Sequence, residues 1–196
     1  MPPLYAYVAC NEEDALTIID VSNPANPTFK GSIQGAGAPN YLSGATGVFV
    51  VGDYAYVACN VDDALTIIDV SDPANPTFKG SIQGSGAPNY LNQARGVYVV
   101  GDYAYVACRE EDALTIIDVS DPANPTFKGS IRGSGAPNYL DGPTRVSVVG
   151  DYAYVACNFD DALTIIDVSD PANPTFKGSI QGSGAPNYLN QARGVY

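Results

Sequence analysis

Residues 54–70 read YAYVACNVDDALTIIDV, two short apolar runs on either side of the polar loop 60–63. In the first run the two tyrosines alternate with Ala55, Val57 and Cys59, so a strand made from these residues is apolar on both faces. The second run is also apolar on both faces, apart from one aspartate. Both runs therefore predict short β-strands, and the sequence lacks the i, i+3, i+4 apolar spacing of an amphipathic helix.

These two runs lie inside a larger unit. Gly52 and Asp53 are a turn signal between the first run and a preceding β-branched segment. Pro73 and Pro76 end the second run, because each proline fixes its own φ and restricts the residue before it. A more polar segment and a long loop rich in glycine and asparagine then lead to the next unit. We predict four antiparallel strands in this copy, at residues 47–51, 54–59, 65–70 and 77–82.

The unit is repeated along the whole chain. The motif YAYVAC begins at Tyr5, Tyr54, Tyr103 and Tyr152, so the period is 49 residues and the 196 residues hold four copies. Four short strands per unit, apolar inside and more polar at the outer edge, are typical of one blade of a β-propeller. The predicted fold is therefore all-β, a β-propeller of four-stranded antiparallel blades. The predicted blades are approximately 1–46, 47–95, 96–144 and 145–193, with 194–196 closing the first blade of the same or a partner chain.

Composition excludes several classes of function. The chain has no histidine and no tryptophan, so imidazole bases, histidine metal ligands and Ser-His-Asp or Cys-His arrangements are absent. A net charge of −12 with only nine basic residues argues against nucleic acid and membranes as partners. We expect a protein that is not an enzyme and uses no cofactor and no metal. Residues 1–5 lack a signal-peptide pattern, so we expect a cytoplasmic location as expressed.

One cysteine stands at the same position of each copy. Equivalent positions in separate blades rarely come within the roughly 7 Å of Cα separation that a disulfide tolerates. We therefore expect free thiols that pack as small hydrophobic residues. The four are Cys10, Cys59, Cys108 and Cys157.

The unit resembles a known repeat family. VVGDYAYVA, ALTIIDVSDP and NPT recur in this order, and LTIID fills the naming motif of the LVIVD-repeat β-propellers. The resemblance implies a propeller, often on surface or secreted bacterial proteins, and implies no reaction and no catalytic residues. Residues 50–98 and 148–196, which are copies two and four counted from this point of the unit, differ only at Val61 against Phe159. Such near-identity indicates recent amplification or an engineered, symmetrised chain.

Ring closure is the open question about the assembly. We expect the C-terminal segment to complete the first blade, either within the same chain, which gives a four-bladed monomer, or in a second copy. Four blades splay more widely than eight, and the medium-sized packing residues favour the narrower wedge. We therefore predict an eight-bladed homodimer formed by strand exchange. Its closure places Val195 and Tyr196 against Tyr5 and Tyr7.

Differences between the copies fall almost entirely in the loop that connects strands two and three, and around the loop from strand four to strand one together with the start of strand one. A propeller presents both loops on one face, where recognition residues commonly lie. This face is a candidate binding site, although drift at exposed positions explains the same pattern. Its candidate residues are Glu12, Glu13, Asp62, Asp63, Arg95, Arg109, Glu110, Glu111, Asp160, Asp161, Arg193, Tyr41, Tyr90, Tyr139 and Tyr188.

Three functions remain open at this point. The leading hypothesis is a non-enzymatic, self-assembling scaffold. The alternative is a module that binds carbohydrate through the loop tyrosines or cations through the loop carboxylates. We expect the carboxylates to be solvated turn residues and the tyrosines to fasten their loops onto neighbouring blades.

Overall fold

The computed structural model describes residues 4–196, in which four antiparallel sheets follow one another along the chain. The first sheet holds β1 (Tyr5–Cys10), β2 (Ala15–Asp20) and β3 (Thr28–Gln34). The second holds β4 (Ala45–Val51), β5 (Tyr54–Cys59), β6 (Ala64–Asp69) and β7 (Thr77–Gln83). The third holds β8 (Ala94–Val100), β9 (Tyr103–Cys108), β10 (Ala113–Asp118) and β11 (Thr126–Arg132). The fourth holds β12 (Pro143–Val149), β13 (Tyr152–Cys157), β14 (Ala162–Asp167) and β15 (Thr175–Gln181).

Each sheet is a meander whose strand order follows the chain, as predicted. Strand one of each complete blade begins two residues earlier than expected, because a bulge extends it. In the second blade Ala45 faces Cys59 and Gly47 faces Ala58, which leaves Thr46 as an extra residue. The same register shift recurs in β8 and β12. Residues 1–3, which the sequence analysis counted in the first blade, lie outside the described residues.

The sheets pack face to face through both apolar faces of their middle strands. One face of the second blade, including Val57 and Ile68, packs against Leu16 and Ile18 of the first. Its other face, which includes Leu65, packs against the third blade. The third and fourth blades meet in the same way. Alternation along each strand thus supplies two packing faces, which confirms the propeller architecture.

The inner strands β4, β8 and β12 lie side by side around a central channel. Phe49 and Tyr98 meet there, with ring centroids 4.7 Å apart. Each of these inner strands is followed by a turn in which a glycine has a positive φ, as at Gly52 (58°). Glycine adopts this conformation readily because it has no Cβ. Among residues 4–196 no helix is long and apolar enough to span a membrane.

The blades form an arc, and the described residues do not close it into a ring. β1 is an edge strand, since the first sheet has three strands where the others have four. Residues 193–196 carry no assigned secondary structure. Within residues 4–196, the first sheet therefore lacks the inner strand that the other three sheets have, and no strand follows the fourth sheet.

Candidate functional site

Hydrogen bonds between blades join the two variable loops on one face of the arc. The N–H of Gln93, just before β8, donates to Oδ1 of Asp63 at 2.9 Å. Asp63 has φ = 51°, a left-handed conformation that aspartate tolerates better than most residues. Asp14 and Asp112 make the same bond to the loop before the next blade, and Asp161 makes it to Gln191 in the C-terminal segment. One carboxylate per repeat therefore fastens its blade to the segment that follows the next loop, which is an inner strand in the first three cases.

A second carboxylate in three of the four acidic loops binds the preceding loop. Oδ2 of Asp62 accepts the N–H of Ser43 at 2.8 Å, and Asp160 accepts that of Asp141 at 2.8 Å. Glu111 accepts the N–H of Gly86 at 2.6 Å. These bonds repeat the same connection in three blades, so the acidic loops have a structural role.

The expectation that all these carboxylates are solvated is therefore wrong for Asp62, Asp63, Glu111, Asp160 and Asp161. Their oxygens accept backbone N–H groups that would otherwise lack a partner in the loops. Residues 4–196 contain no group of three or more Asp, Glu or Cys side chains placed to hold a metal ion. The remaining members of the acidic set are exposed: Glu12, Glu13 and Glu110.

The loop tyrosines contact the blades beside them. The carbonyl of Tyr41 accepts the hydroxyl of Thr66 at 2.8 Å, and Tyr90 and Tyr139 repeat the bond. Tyr41 and Tyr139 pack against the blade cores, and the guanidinium of Arg132 lies 4.0 Å from the Tyr90 ring centroid. These three tyrosines are half-buried in their loops. Tyr188 belongs to the last blade and is 73% exposed.

Four arginines from four segments of the chain converge on one cavity of about 480 Å³. Arg95 lies in the β8 bulge, Arg109 follows β9, Arg145 lies in β12, and Arg193 lies in the C-terminal segment. The cavity thus contains three residues of the predicted binding face, Arg95, Arg109 and Arg193, and one residue that was not predicted to belong to it, Arg145. Its other lining residues are Thr46, Thr144 and Asn158.

Arg145 enters the cavity because of the bulge in β12. It stands where the other copies have glycine, one position after the site occupied by Arg95 and Arg193. Simple alternation would send Thr144 and Arg145 to opposite faces of the strand. The register shift leaves Thr144 as the extra residue, and bulges re-aim the side chains beside them, so both residues line the cavity. The sequence of one repeat carries no signal for this displacement.

A second cavity, of about 500 Å³, shares Arg145 with the first and runs along the channel. Inner-strand residues of three blades line it, together with Val195 and Tyr196. The start of the C-terminal segment has the position of an inner strand. Thr144 Oγ1 contacts the Ala192 carbonyl at 3.3 Å, as Thr46 Oγ1 contacts that of Ala94 at 3.2 Å.

The outward faces of the end blades are uncovered. Val8 in β1 is 44% exposed, whereas the equivalent Val57 is 0% exposed. On the fourth blade Ile180 is 48% exposed, whereas the equivalent Ile131 is 9% exposed. Val8 and Ile180 stand at positions whose equivalents belong to opposing faces where the third and fourth blades meet. The uncovered face at one end of the arc therefore has the sequence that packs against the face left uncovered at the other end.

The cysteines lie in the blade interfaces. Cys59, Cys108 and Cys157 are buried, and Cys10 in the first blade is half-buried. Burial raises the pKa of Cys157 to about 12 and raises those of Cys59 and Cys108 further, because a thiolate is poorly solvated there. These three thiols have the environment of small hydrophobic residues, not of nucleophiles.

Family comparison identifies the repeat. The LVIVD repeat matches residues 4–34, 44–83, 92–132 and 143–181, one segment for each sheet. The chain belongs to the LVIVD repeat family. No curated protein matches this LVIVD repeat chain.

Solved structures share the fold of this LVIVD repeat protein. A protein from Lactobacillus plantarum is 14% identical over 92% of this chain, with a TM-score of 0.73. A periplasmic gluconolactonase from Pseudomonas aeruginosa is 11% identical over 96%, with a TM-score of 0.68. The computationally designed Ika8 protein is 7% identical over 96%, with a TM-score of 0.65. The matches cover 53%, 55% and 48% of those chains, so this chain spans about half their length.

Proposed function

We propose that this LVIVD repeat protein is a non-enzymatic β-propeller scaffold whose complete form is an eight-bladed ring of two copies. The observation that carries this proposal is the pair of uncovered end faces. Where the third and fourth blades meet, the face that contains Ile131 packs on the fourth-blade face that is equivalent to the Val57 face of the second blade. In a two-fold ring each fourth blade would pack on the partner's first blade, and both ends of both chains would be buried.

Strand pairing supports the same arrangement. β1 offers unpaired backbone groups at an exposed sheet edge, a position that favours addition of a strand. Residues 192–196 carry the sequence ARGVY, identical to residues 94–98, which form the start of inner strand β8. In the third blade Val97 faces Val106 and Tyr98 faces Tyr105.

By the same register, residues 192–196 of one copy would pair with β1 of the other. Val195 then lies opposite Val8, and Tyr196 lies opposite Tyr7. The apolar end faces close at the same time, because the inner strand and the blade face belong to one sheet. About half of each similar structure is covered by one chain, which agrees with a ring twice this length.

The non-enzymatic assignment rests on the chemistry of the cavity. Its lining residues are arginine, threonine and asparagine, and none is a general base at neutral pH. The threonine hydroxyls are placed against backbone carbonyls, Thr46 at Ala58 and Thr144 at Ala156. The gluconolactonase similarity supports the propeller fold, at an identity too low to transfer a reaction.

Mass measurement tests the ring directly. Sedimentation equilibrium or light scattering at micromolar concentration is expected to give twice the chain mass of 20.4 kDa. Val8→Glu should return the protein to a monomer, because it places a charge in the closing interface. The matched control is Val100→Glu. Val100 is 47% exposed and is the last residue of β8 in the third blade, outside the closing interface, so this variant should stay dimeric.

A wild-type species of 20.4 kDa across this concentration range would overturn the proposal and indicate closure within one chain or an open arc. Dissociation by both variants alike would show that the association does not use the end faces. Circular dichroism of each variant confirms that the strands are intact.

A further inference from the structure

The basic residues of this acidic chain are distributed very unevenly. The net charge is −12, and the chain contains five arginines and four lysines. Four of the five arginines line a single cavity of about 480 Å³: Arg95, Arg109, Arg145 and Arg193. Like charges gathered in a concave site repel one another, and the arrangement is stabilised by bound negative charge.

We propose that this cavity binds a small oxyanion that carries two or more negative charges, such as a pyrophosphate or a polycarboxylate. Guanidinium groups present paired N–H donors that match carboxylate and phosphate oxygens. The volume lies within the range of small-molecule sites. No aspartate or glutamate is among the described lining residues, and Glu110, which lies 3.8 Å from Arg109, offsets only part of the charge of the four arginines.

Two of the arginines are oriented by neutral groups. Arg95 Nη2 lies 3.4 Å from Oε1 of Gln93, and Arg193 Nη2 donates to Oε1 of Gln191 at 3.1 Å. A glutamine amide fixes the direction of a guanidinium without neutralising it. Both arginines thus retain further N–H donors for a ligand.

Among the four arginines of the cavity, Arg95 has a buried hydrogen-bond donor that lacks an acceptor. Its Nε is buried and has no hydrogen-bond partner within residues 4–196. Burial lowers the pKa of Arg95, and repulsion from Arg109 and Arg193 lowers it further, while Glu110 acts in the opposite direction. A buried donor without a partner is costly, and an anion in the cavity supplies the missing acceptor.

The other two arginines are held at the cavity by nearby groups. The Arg109 guanidinium lies 4.7 Å from the ring centroid of Phe159, and its Nη1 is 3.8 Å from Oε1 of the exposed Glu110. Arg145 Nη1 lies beside Gly47, 3.2 Å from the position that a Cβ would occupy there. The missing side chain at Gly47 leaves room for the Arg145 guanidinium.

Calorimetric titration with sodium pyrophosphate, and separately with citrate, tests this site. We expect saturable binding of at least one of them, and none of glucose, a neutral molecule of comparable size. Arg95→Gln and Arg193→Gln should each weaken binding about tenfold or more, because each removes charge-assisted hydrogen bonds. Arg193 is exposed, so its variant is expected to fold normally.

The fifth arginine supplies the matched control. Arg132 lies outside the cavity, stacked on Tyr90 and 3.9 Å from Glu111, so Arg132→Gln should change affinity less than twofold. Equal weakening by all three variants would indicate general attraction of anions, and an absence of binding by both anions would equally overturn the proposal. The site is formed within one chain, so sedimentation of the same samples tests the two-copy ring independently.

Discussion

The second and third blades are covered on both faces, whereas the first and fourth are each covered on one, although all four share nearly one sequence. Thr66 and Ile68 in the second blade are fully buried, while Thr17 and Ile19 at the same positions of the first blade are half-buried. A repeat therefore does not fix its own burial. The neighbouring blade does, since each sheet is a packing surface for the next.

The largest expected effect compares one isoleucine in two environments. Ile116→Ala, at the interface of the third and fourth blades, should lower the free energy of unfolding by about 2–5 kcal/mol, because it leaves a cavity in a fully buried site. Ile165→Ala, at the same position of the fourth blade, should cost clearly less in the monomer. Urea denaturation of both variants measures the difference.

Protein concentration sharpens this comparison. If two copies close the ring, the cost of Ile165→Ala should rise toward that of Ile116→Ala as the dimer becomes populated. An equal cost at concentrations where sedimentation shows only monomer would mean that the end face is covered within a single chain.

The next effect concerns the carboxylate that joins adjacent blades. Asp63→Ala removes the acceptor for the Gln93 N–H and should cost about 1–3 kcal/mol. Asp63→Asn should restore most of that stability, since asparagine keeps an acceptor oxygen and tolerates the same positive φ.

The equivalent Asp161 fastens Gln191 in the C-terminal segment, which carries no following sheet in this chain. Asp161→Ala should therefore cost less than Asp63→Ala in thermal unfolding of the monomer. Equal costs for the two variants would show that the bond stabilises its own loop and not the contact between blades.

The smallest effect is chemical and leaves the fold intact. Cys10 is half-buried on the uncovered face of the first blade, while the other three thiols are buried and have raised pKa values. Alkylation followed by peptide mass spectrometry should modify Cys10 first, since reaction needs an accessible thiolate. Formation of the ring should slow this reaction, and uniform labelling of all four thiols would contradict the difference between end and inner blades.

Much of the fold could be predicted from the sequence, because the information is local and is repeated four times. Alternating apolar residues in YAYVAC and ALTIID define strands with two packing faces, and the prolines and Gly-Asp turns define their ends. The placement of both variable loops on one face also follows from the meander. The structure confirms these features in each blade.

The site could be predicted only in part. Arg95, Arg109 and Arg193 stood out as candidates because they differ between copies, but Arg145 was not placed with them, since a bulge redirects its side chain. The acidic loops suggested solvated turns, yet their carboxylates bind the loops of adjacent blades. Such partners lie 19 to 30 residues away along the chain, beyond the reach of local patterns.

The sequence by itself determined the blade, because strand alternation and turn chemistry act over a few residues. The tertiary structure decided which identical faces are buried, which carboxylates join neighbouring blades and which arginines share a cavity. These outcomes depend on how successive sheets are positioned around the channel, and contacts between sheets are set by packing over the whole arc. Repeats of one sequence therefore acquire different roles from their place in the arc.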